Sequence, residues 1–399
     1  MKQGHLSKYF EGVAAKRLSA VEIRPERSNQ HEFNGASSLK RLLVKPFKRR
    51  PARFLYLSDD EDEFITADSW VSWYDSRRKR PTRTEHRLYY PSTPVSEAAR
   101  EGDLLVVGKR HDGKLLVLIA RAGTTAENQI KWLFGLELDN AKPFSVVEIK
   151  DSKDTPLDIA AKFVLEELGI EVEPANEFLD LLLNKFPNGF PTTQVFSTFA
   201  RDSLKDVSSL DDPDAALVAW IDREEVLFRT LERHLVADRI RRGFGSDVDS
   251  FISYSLSIQN RRKARAGYAL ENHLESILKD HKLRYARGGH TEGKSQPDFL
   301  FPGELEYRDL SFAETKLKML GVKSSCKERW RQVLAEAKRI KSKHLLTLEP
   351  GISAPQTDEM REKSLHLVLP RSIHNTYAPS QKDWLMSVVE FIDLVKRDQ

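Results

Sequence analysis

The pattern of apolar residues changes partway along the chain. Up to about residue 170 they come in short runs rich in leucine and β-branched side chains, which is typical of strands. The runs are RLLVKPF, ARFLYL, QIKWLFGLEL and the pair within DLLVVGKRHDGKLLVLIARAG. This pair predicts a hairpin, because Asp112 and Gly113 between its two halves suit the left-handed backbone of a tight turn. TPLDIAAKFVLEELGI predicts a helix, with Thr155 and Pro156 at its start.

Beyond an aperiodic, proline-containing stretch, EVEPANEF, the pattern is that of an α/β domain. DREEVLFRTLERHLVADRIRRGF and AGYALENHLESILKDHKL repeat apolar residues at intervals of three and four, which predicts amphipathic helices. QPDFLFPG, LKMLGVK, KHLLTLEPG and SLHLVLP are typical of buried strands, and KERWRQVLAEAKRIKS predicts a helix between two of them. We therefore predict a β-rich barrel or sandwich over 1–172, a linker over 173–178 and an α/β domain over 179–399.

The composition fits a soluble globular protein. The 399 residues are 40% hydrophobic and 31% charged, and the chain is long enough for two cores. The single cysteine, Cys326, excludes an intramolecular disulfide and a cysteine-based zinc cluster, and it suits a reducing compartment. Neither a signal-peptide core nor a run of ~20 apolar residues is present. We expect a cytoplasmic protein that has no membrane partner.

Charged residues at strand ends indicate phosphodiester chemistry in the second domain. Asp298 begins an apolar run after Pro297, and Lys323 ends LKMLGVK, which can form the neighbouring strand. The acid of such a pair helps to bind Mg²⁺, while the ammonium orients water or balances developing charge. A second metal-binding acid is still required.

Two acids can fill that place. Glu314 and Lys316 form an ETK triplet whose side chains would share one face of an extended strand. Glu336 lies on the helix predicted after Lys323, on the same face as Arg329 seven residues before it. Spacing favours the triplet, but so short a pattern also arises by chance, and the triplet could be a solvated strand edge. The residues alone leave the choice open.

Longer motifs in the second domain carry a resemblance to the catalytic domain of the EcoRII-type restriction endonucleases. They are IRRGFGS, NRRKARAG, LENHLE, TEGKSQPDFLFP, MLGVKSSCKERWRQ, EAKRI and EMRE. The family belongs to a branch of the PD-(D/E)xK nucleases in which the second acid has moved onto the following helix. The 25 residues from Asp298 to Lys323 and the 13 from Lys323 to Glu336 fit its spacing. The resemblance implies that Asp298 and Glu336 bind metal and that Lys323 is catalytic. It adds Glu271 and Tyr307 to the catalytic site and gives the ETK triplet no role.

The helix after Lys323 is expected to read DNA as well. Lys327, Glu328 and Arg329 supply the donors and the acceptor that adjacent G·C pairs need, and the resemblance implies that they read the CC/GG arms of a site. Arg331 would support them or bind phosphate. Without the resemblance, this set is better explained as a salt-bridged helix surface. Trp330 is expected in the core.

Positive charge in the first domain suggests a second DNA contact. VKPFKRRPARF and DSRRKRPTRTEHRLYY are strongly basic although the net charge is only +4, and such clusters bind phosphate or form solvated loops. AKRLSA, HEFNG and SRRKRPTRTEHRL resemble the N-terminal effector domain of the same enzymes, a DNA-binding pseudobarrel related to plant transcription-factor domains. The two recognition arms it implies are Lys16, Arg17 and His31, and Arg83, Glu85, His86 and Arg87. His86 stands where the family pattern has a lysine.

Together these features resemble a Mg²⁺-dependent type IIE restriction endonuclease. The resemblance implies hydrolysis of double-stranded DNA at a short near-palindromic site, CCWGG or similar, stimulated by a second copy of that site. It also implies a homodimer in which each catalytic domain cuts one strand, and a cytosine methyltransferase as genetic partner. The alternatives are a non-cleaving, sequence-specific DNA-binding regulator on a nuclease scaffold and a structure-specific repair nuclease.

Overall fold

The structure is a computed structural model of the 399-residue chain, which divides into two compact units. It describes residues 6, 9–23, 31–34, 37–60, 63–77, 85–136, 144–148, 159–170, 178–293, 295–326 and 329–399. The first unit comprises Met1–Ile170 and Pro350–Gln356, and the second comprises Glu171–Glu349 and Thr357–Gln399. The first unit therefore contains two separate stretches of the chain, and the domain boundaries predicted from the sequence do not include the second stretch. The predicted linker lies outside the described residues, apart from Phe178 at its end.

The first unit is built on one strongly curled, eight-stranded sheet, a β half-barrel. Its strands are β1 Gly12–Arg17, β2 Glu32–Asn34, β3 Phe47–Leu57, β4 Ile65–Asp75, β5 His86–Tyr89, β6 Leu104–Lys109, β7 Leu115–Ala120 and β8 Phe144–Glu148. The order across the sheet is β2-β5-β4-β3-β7-β6-β1-β8. Strands β3 and β7 run parallel, and the other neighbouring pairs are antiparallel. The helices of this unit are α1 Ala20–Ile23, α2 Ser37–Leu42, α3 Pro94–Ala98, α4 Thr125–Phe134 and α5 Ile159–Glu167.

The β-rich fold predicted for this unit is confirmed, with two local errors. The hairpin is present as β6 and β7, and Gly113 has a φ of +79° in its turn. QIKWLFGLEL, predicted as a strand, instead supplies most of α4 and the turn after it. Thr124 caps that helix by accepting a hydrogen bond from Glu127 N, and the left-handed Gly135 ends it. RLLVKPF is also misassigned, because its start is helical in α2 and β3 begins only at Phe47.

The second unit is the predicted α/β domain, with a five-stranded mixed sheet and long helices. Its strands are β9 Ala286–Arg287, β10 Phe299–Phe301, β11 Lys318–Lys323, β12 Lys343–Thr347 and β13 Leu365–Val368, in the order β13-β12-β11-β10-β9. Strands β11, β12 and β13 are parallel, whereas β10 is antiparallel to both of its neighbours. The helices are α6 Leu179–Lys185, α7 Thr193–Asp202, α8 Pro213–Arg242, α9 Val248–Asp280, α10 Glu304–Arg308, α11 Trp330–Leu334, α12 Ala354–Glu362, α13 Pro379–Lys382 and α14 Val388–Asp398. The first three residues of α12 belong to the 350–356 segment of the first unit.

One helix of this unit is much shorter than the sequence predicted. KERWRQVLAEAKRIKS was expected to be helical, with Glu336 on the helix, but α11 ends at Leu334 and Glu336 lies in the bend that follows. Ala337 has a left-handed φ of 47°, which breaks the helical path. The amides of Lys338 and Arg339 donate to side chains elsewhere in the unit rather than to helical carbonyls.

Across the part of the chain that the structure describes, no helix has the length and apolar character needed to cross a membrane.

Candidate active site

Strands β10 and β11 bring together Asp298 and Lys323, the pair that the sequence predicted at the catalytic site. Phe299 pairs with Leu320 in the antiparallel ladder, so Asp298 lies beside the carboxyl end of β11, where Lys323 is the last residue. Lys323 Nζ is 2.9 Å from Asp298 Oδ2, and Val322 N donates to the same oxygen at 2.6 Å. The two side chains remain 24% and 21% exposed, so the pair is held in place and still open to solvent.

Glu336 supplies a second carboxylate next to this pair. Its Oε2 atom is buried and has no hydrogen-bond partner among the described residues. Burial, together with the negative charge of Asp298, raises the pKa of Glu336 to about 7, while Lys323 and Lys343 act in the opposite direction. A buried carboxylate oxygen without a donor is unusual, and a bound cation would satisfy it.

The donor set fits a hard divalent cation. Asp298 and Glu336 are two carboxylates, and the described residues contain no group of three or more His, Cys, Asp or Glu side chains suited to a metal. Mg²⁺ commonly binds through one or two carboxylates and takes its other ligands from water and substrate phosphate. Asp298 and Glu336 could therefore hold such a cation, with water and a substrate phosphate as its other ligands.

Gly321 allows α11 to pack closely on β11. A Cβ atom built at Gly321 would lie 2.9 Å from Val333 Cγ2 and 3.1 Å from Val333 Cγ1. Val333 is fully buried on α11, three residues before Glu336. The small residue at position 321 thus sets how closely the segment with Glu336 approaches the strand with Lys323.

We predict that Gly321→Ala slows DNA cleavage, because the methyl group pushes α11 and Glu336 outward, at a cost of about 1–3 kcal/mol in stability. The double variant Gly321→Ala/Val333→Ala should cleave faster than Gly321→Ala alone, because it removes the methyl groups that the new Cβ would strike. Initial cleavage rates and urea unfolding of the wild type, both single variants and the double variant measure this coupling. Additive effects of the two substitutions would contradict the close-packing explanation.

The other two predicted catalytic residues are engaged by neighbouring side chains. Glu271 on α9 accepts a hydrogen bond from Arg287 Nη2 at 2.8 Å, so its charge is balanced by an arginine of β9. Tyr307 on α10 is buried; its hydroxyl donates to Glu292 Oε1 and accepts from Arg339 N at 3.2 Å. Burial, and then the hydrogen bond to Glu292, raises the pKa of Tyr307 to about 12.

The ETK triplet does not adopt the conformation that would make it a site. Glu314–Lys316 is an exposed turn of 3₁₀ helix before β11, so Glu314 and Lys316 do not share a strand face. The nearest cation to the Glu314 carboxylate in the described ion pairs is Arg339 Nε, at 3.7 Å.

Part of the predicted DNA-reading set is described. Lys327 and Glu328 lie outside the described residues. Arg329 is exposed at the start of α11, and its backbone N donates to Cys326 O at 2.7 Å. Arg331 is also exposed and forms an ion pair with Glu359 at 2.8 Å. Trp330 is completely buried, which confirms its predicted place in the core.

In the first unit, Lys16 and Arg17 form ion pairs with buried carboxylates. Lys16 is itself buried and pairs with Glu22, whose Oε1 also accepts from Asn34 N at 2.7 Å. Glu22 thereby links β1 to β2, which lie far apart in the strand order but are brought together by the curl of the sheet. Arg17 pairs with Glu127 and donates to Gly102 O at 3.1 Å.

The remaining effector residues that the structure describes lie on or beside the adjacent strands β2 and β5. The His31 carbonyl accepts from Tyr90 N at 3.0 Å. Arg87 donates to Glu85 Oε1 at 2.7 Å and to Glu32 Oε2 at 2.6 Å. The ring of His86 lies 5.2 Å from that of Trp73, and Arg83 is outside the described residues. The structure thus brings described parts of both predicted arms to one edge of the sheet.

Two residues of the site's surroundings were missed in the sequence. Glu292 lies within the motif TEGKSQPD, in which only the aspartate was predicted to have a role. Lys343 begins the apolar run KHLLTL, and a lysine at the start of a buried strand could have flagged it. Both contact the segment that follows Glu336.

Comparison with known proteins identifies the family of the chain. The family profile "EcoRII C terminal" matches residues 228–392. The type II restriction enzyme EcoRII of Escherichia coli is 44% identical over 407 aligned residues, covering 96% of this chain and 93% of that enzyme. Two solved structures match 57% of this chain with low similarity. Metal-depleted Ecl18kI with uncleaved, modified DNA is 17% identical (TM-score 0.43, 85% of its chain covered), and the PspGI–substrate DNA complex is 12% identical (TM-score 0.40, 93% covered). Because the EcoRII match spans nearly the whole of both chains, this chain belongs to the EcoRII family of type II restriction endonucleases.

Proposed function

We propose that the protein cleaves both strands of DNA, with Mg²⁺, at a short near-palindromic site, CCWGG or a close relative. The observation that carries this proposal is the half-buried carboxylate of Glu336 beside the Asp298–Lys323 pair, because its buried Oε2 atom has no hydrogen-bond partner among the described residues. Two carboxylates and an ammonium group at the end of a parallel strand are the groups needed to hold a divalent cation and to act on a phosphodiester.

Each residue of the site has a distinct part. Asp298 and Glu336 would hold the metal ion, which, when bound, polarises the phosphate and lowers the pKa of its water. Lys323 is kept in place by Asp298 and presents donors to the attacking water or to the charge that develops on the phosphate. Glu271, paired with Arg287, would complete the acidic surroundings of the site.

The segment after Lys323 would recognise the base sequence of the DNA. We propose that Lys327, Glu328 and Arg329 contact base edges, because they combine the donors and the acceptor that G·C pairs require. Arg331 would take a supporting role, since Glu359 already pairs with it.

For the first unit we propose binding of a second copy of the site. Glu85, His86 and Arg87 on one arm and His31, just before the neighbouring strand β2, would form the contact surface, together with Arg83. Lys16 is buried and Arg17 is paired with Glu127, so both would support the surface through their ion pairs.

Mapping the ends produced from genomic DNA tests the cleavage proposal. We expect ends that require Mg²⁺ and share one short sequence, and methylation of cytosine in that sequence should block cutting. Ends without a shared sequence would favour a repair nuclease, and sequence-specific binding without any nicking would favour the non-cleaving regulator.

The two-site proposal has a separate test. A plasmid with one copy of the site should be cut slowly, and a short duplex that contains the site should accelerate its cleavage. A duplex of scrambled sequence is the control, and equal cleavage with both duplexes would contradict the proposal. Sedimentation of the protein should show a homodimer, as expected for a two-fold symmetric site.

A further inference from the structure

The segment that carries Glu336 is irregular but firmly held. Between α11 and β12 the backbone leaves the helix, and Ala337, which is fully buried, adopts a left-handed φ of 47°. A non-glycine residue in this conformation costs energy and persists only where its surroundings impose it. The contacts around residues 337–340 show what imposes it here.

Two side chains hold this segment through its amides. Glu292 Oε2 accepts from Lys338 N at 3.1 Å, and the Tyr307 hydroxyl accepts from Arg339 N at 3.2 Å. The same hydroxyl donates to Glu292 Oε1, which joins the two acceptors into one unit. Burial alone would raise the pKa of Glu292, but the bonds from Tyr307 and Lys338 outweigh it and lower that pKa, so the carboxylate stays charged.

A third side chain holds the segment through its carbonyls. Lys343, the first residue of β12, is buried, and its Nζ donates to Ala337 O at 3.2 Å and to Ile340 O at 2.8 Å. Two amides and two carbonyls of this segment are thus bound by side chains from three separate parts of the chain.

We propose that Glu292, Tyr307 and Lys343 form a clamp that fixes the backbone after Glu336 and so holds its carboxylate in place for metal binding. They are positioning residues rather than catalytic ones, and Tyr307, which the sequence placed in the catalytic set, is reassigned to this role. The proposal rests on the proposed function, in which Glu336 is a metal ligand.

The need for a clamp follows from electrostatics. In the metal-free protein the carboxylates of Asp298 and Glu336 are neighbouring groups of like charge, and Glu336 Oε2 is buried without a hydrogen-bond partner among the described residues. A carboxylate on a free loop would turn towards solvent. Turning it back towards the site would then reduce the free energy gained when a cation binds. A backbone fixed beforehand removes that cost, and residues that orient metal ligands typically contribute about 10–100-fold to affinity.

The test compares two buried lysines that begin neighbouring parallel strands. Lys343→Met removes the clamp's ammonium while retaining most of the side-chain volume. The matched control is Lys318→Met, because Lys318 begins β11, is similarly buried and pairs with Asp398 at 2.7 Å, outside the clamp. Mn²⁺ binding to the full-length protein is measured without DNA by the paramagnetic resonance of free Mn²⁺. We expect Lys343→Met to weaken Mn²⁺ binding about 10–100-fold and Lys318→Met to leave it unchanged.

Hydrogen exchange gives a readout that needs no metal. The amides of Lys338 and Arg339 should exchange faster in Tyr307→Phe and Glu292→Gln, which remove or weaken their acceptors, than in the wild type. These variants also serve if Lys343→Met does not fold. Cleavage by all three variants should recover as the Mg²⁺ concentration is raised, because the ligands themselves are intact.

The outcomes separate this proposal from the proposed function. The clamp would be overturned if its variants kept the Mn²⁺ affinity and the amide exchange of the wild type. It would also be overturned if Lys343→Met and Lys318→Met lost equal Mn²⁺ affinity. Glu336→Gln should fail to cleave at any Mg²⁺ concentration whether or not the clamp exists. Normal cleavage by Glu336→Gln would remove the proposed function, and the clamp with it.

Discussion

Replacing Lys323 with alanine is expected to slow DNA cleavage by roughly 10²–10³-fold and to leave DNA binding nearly unchanged. The ammonium of Lys323 lies 2.9 Å from Asp298 Oδ2 at the end of β11, where it can donate to the attacking water or the phosphate. Its removal takes away transition-state stabilisation but only one of the many positive charges that bind DNA. Single-turnover cleavage at saturating enzyme gives the chemical rate, and gel shifts without metal give the affinity.

Lys316→Ala is the matched control for this prediction. Lys316 belongs to the exposed ETK turn, seven residues before Lys323, and its loss removes the same charge from the protein. It should cleave at close to the wild-type rate. If Lys316→Ala were inactive and Lys323→Ala fully active, the assignment of the site to Asp298, Lys323 and Glu336 would be wrong.

Replacing Glu336 with glutamine is expected to abolish cleavage and, at the same time, to stabilise the metal-free protein. A metal ligand contributes several kcal/mol of charge stabilisation, so the rate should fall about 10³-fold or more. The stability effect follows from the raised pKa of Glu336, about 7 when folded compared with 4.5 for a free glutamate. Folding therefore favours the protonated carboxyl, and the free energy of unfolding falls as pH rises from about 4.5 to about 7.

Glutamine cannot ionise and should escape this cost. At pH about 8, with a chelator present, we expect Glu336→Gln to unfold with a free energy on the order of 1–3 kcal/mol above that of the wild type. At pH about 4, where the wild-type carboxyl is also protonated, the difference should largely vanish. Urea titrations at both pH values measure it, with the exposed Glu314→Gln as control. A glutamine variant less stable than the wild type at the higher pH would show that the carboxylate is not held at a cost.

The proton on Glu336 also competes with the metal. Below pH about 7 the carboxyl must lose its proton before it can bind a cation, so the apparent metal affinity should rise with pH and level off above that value. Mn²⁺ binding without DNA across this range checks the direction, and Glu336→Gln should lose the dependence. An affinity independent of pH would place the metal elsewhere.

Several elements could be predicted from the sequence because their causes are local. The turn at Asp112 and Gly113 joins two apolar runs, and the strand that follows Asp298 and the strand that ends at Lys323 are short apolar runs bounded by turn-forming residues. Errors arose where a local pattern was ambiguous. QIKWLFGLEL has the apolar content of a strand, but Thr124 caps the start of a helix there and Gly135 ends it.

The sequence by itself determined that the chain has a β-rich and an α/β part, and its spacing brought Asp298, Lys323 and Glu336 into consideration. Only the tertiary structure decided how Glu336 is presented. Its bend depends on Glu292, 46 residues before Lys338, and on Tyr307, 32 residues before Arg339. Such contacts leave no periodic pattern, because they join side chains to the backbone across distant segments. The helix predicted through Glu336 therefore ends two residues before it, and the carboxylate is held by the fold around it.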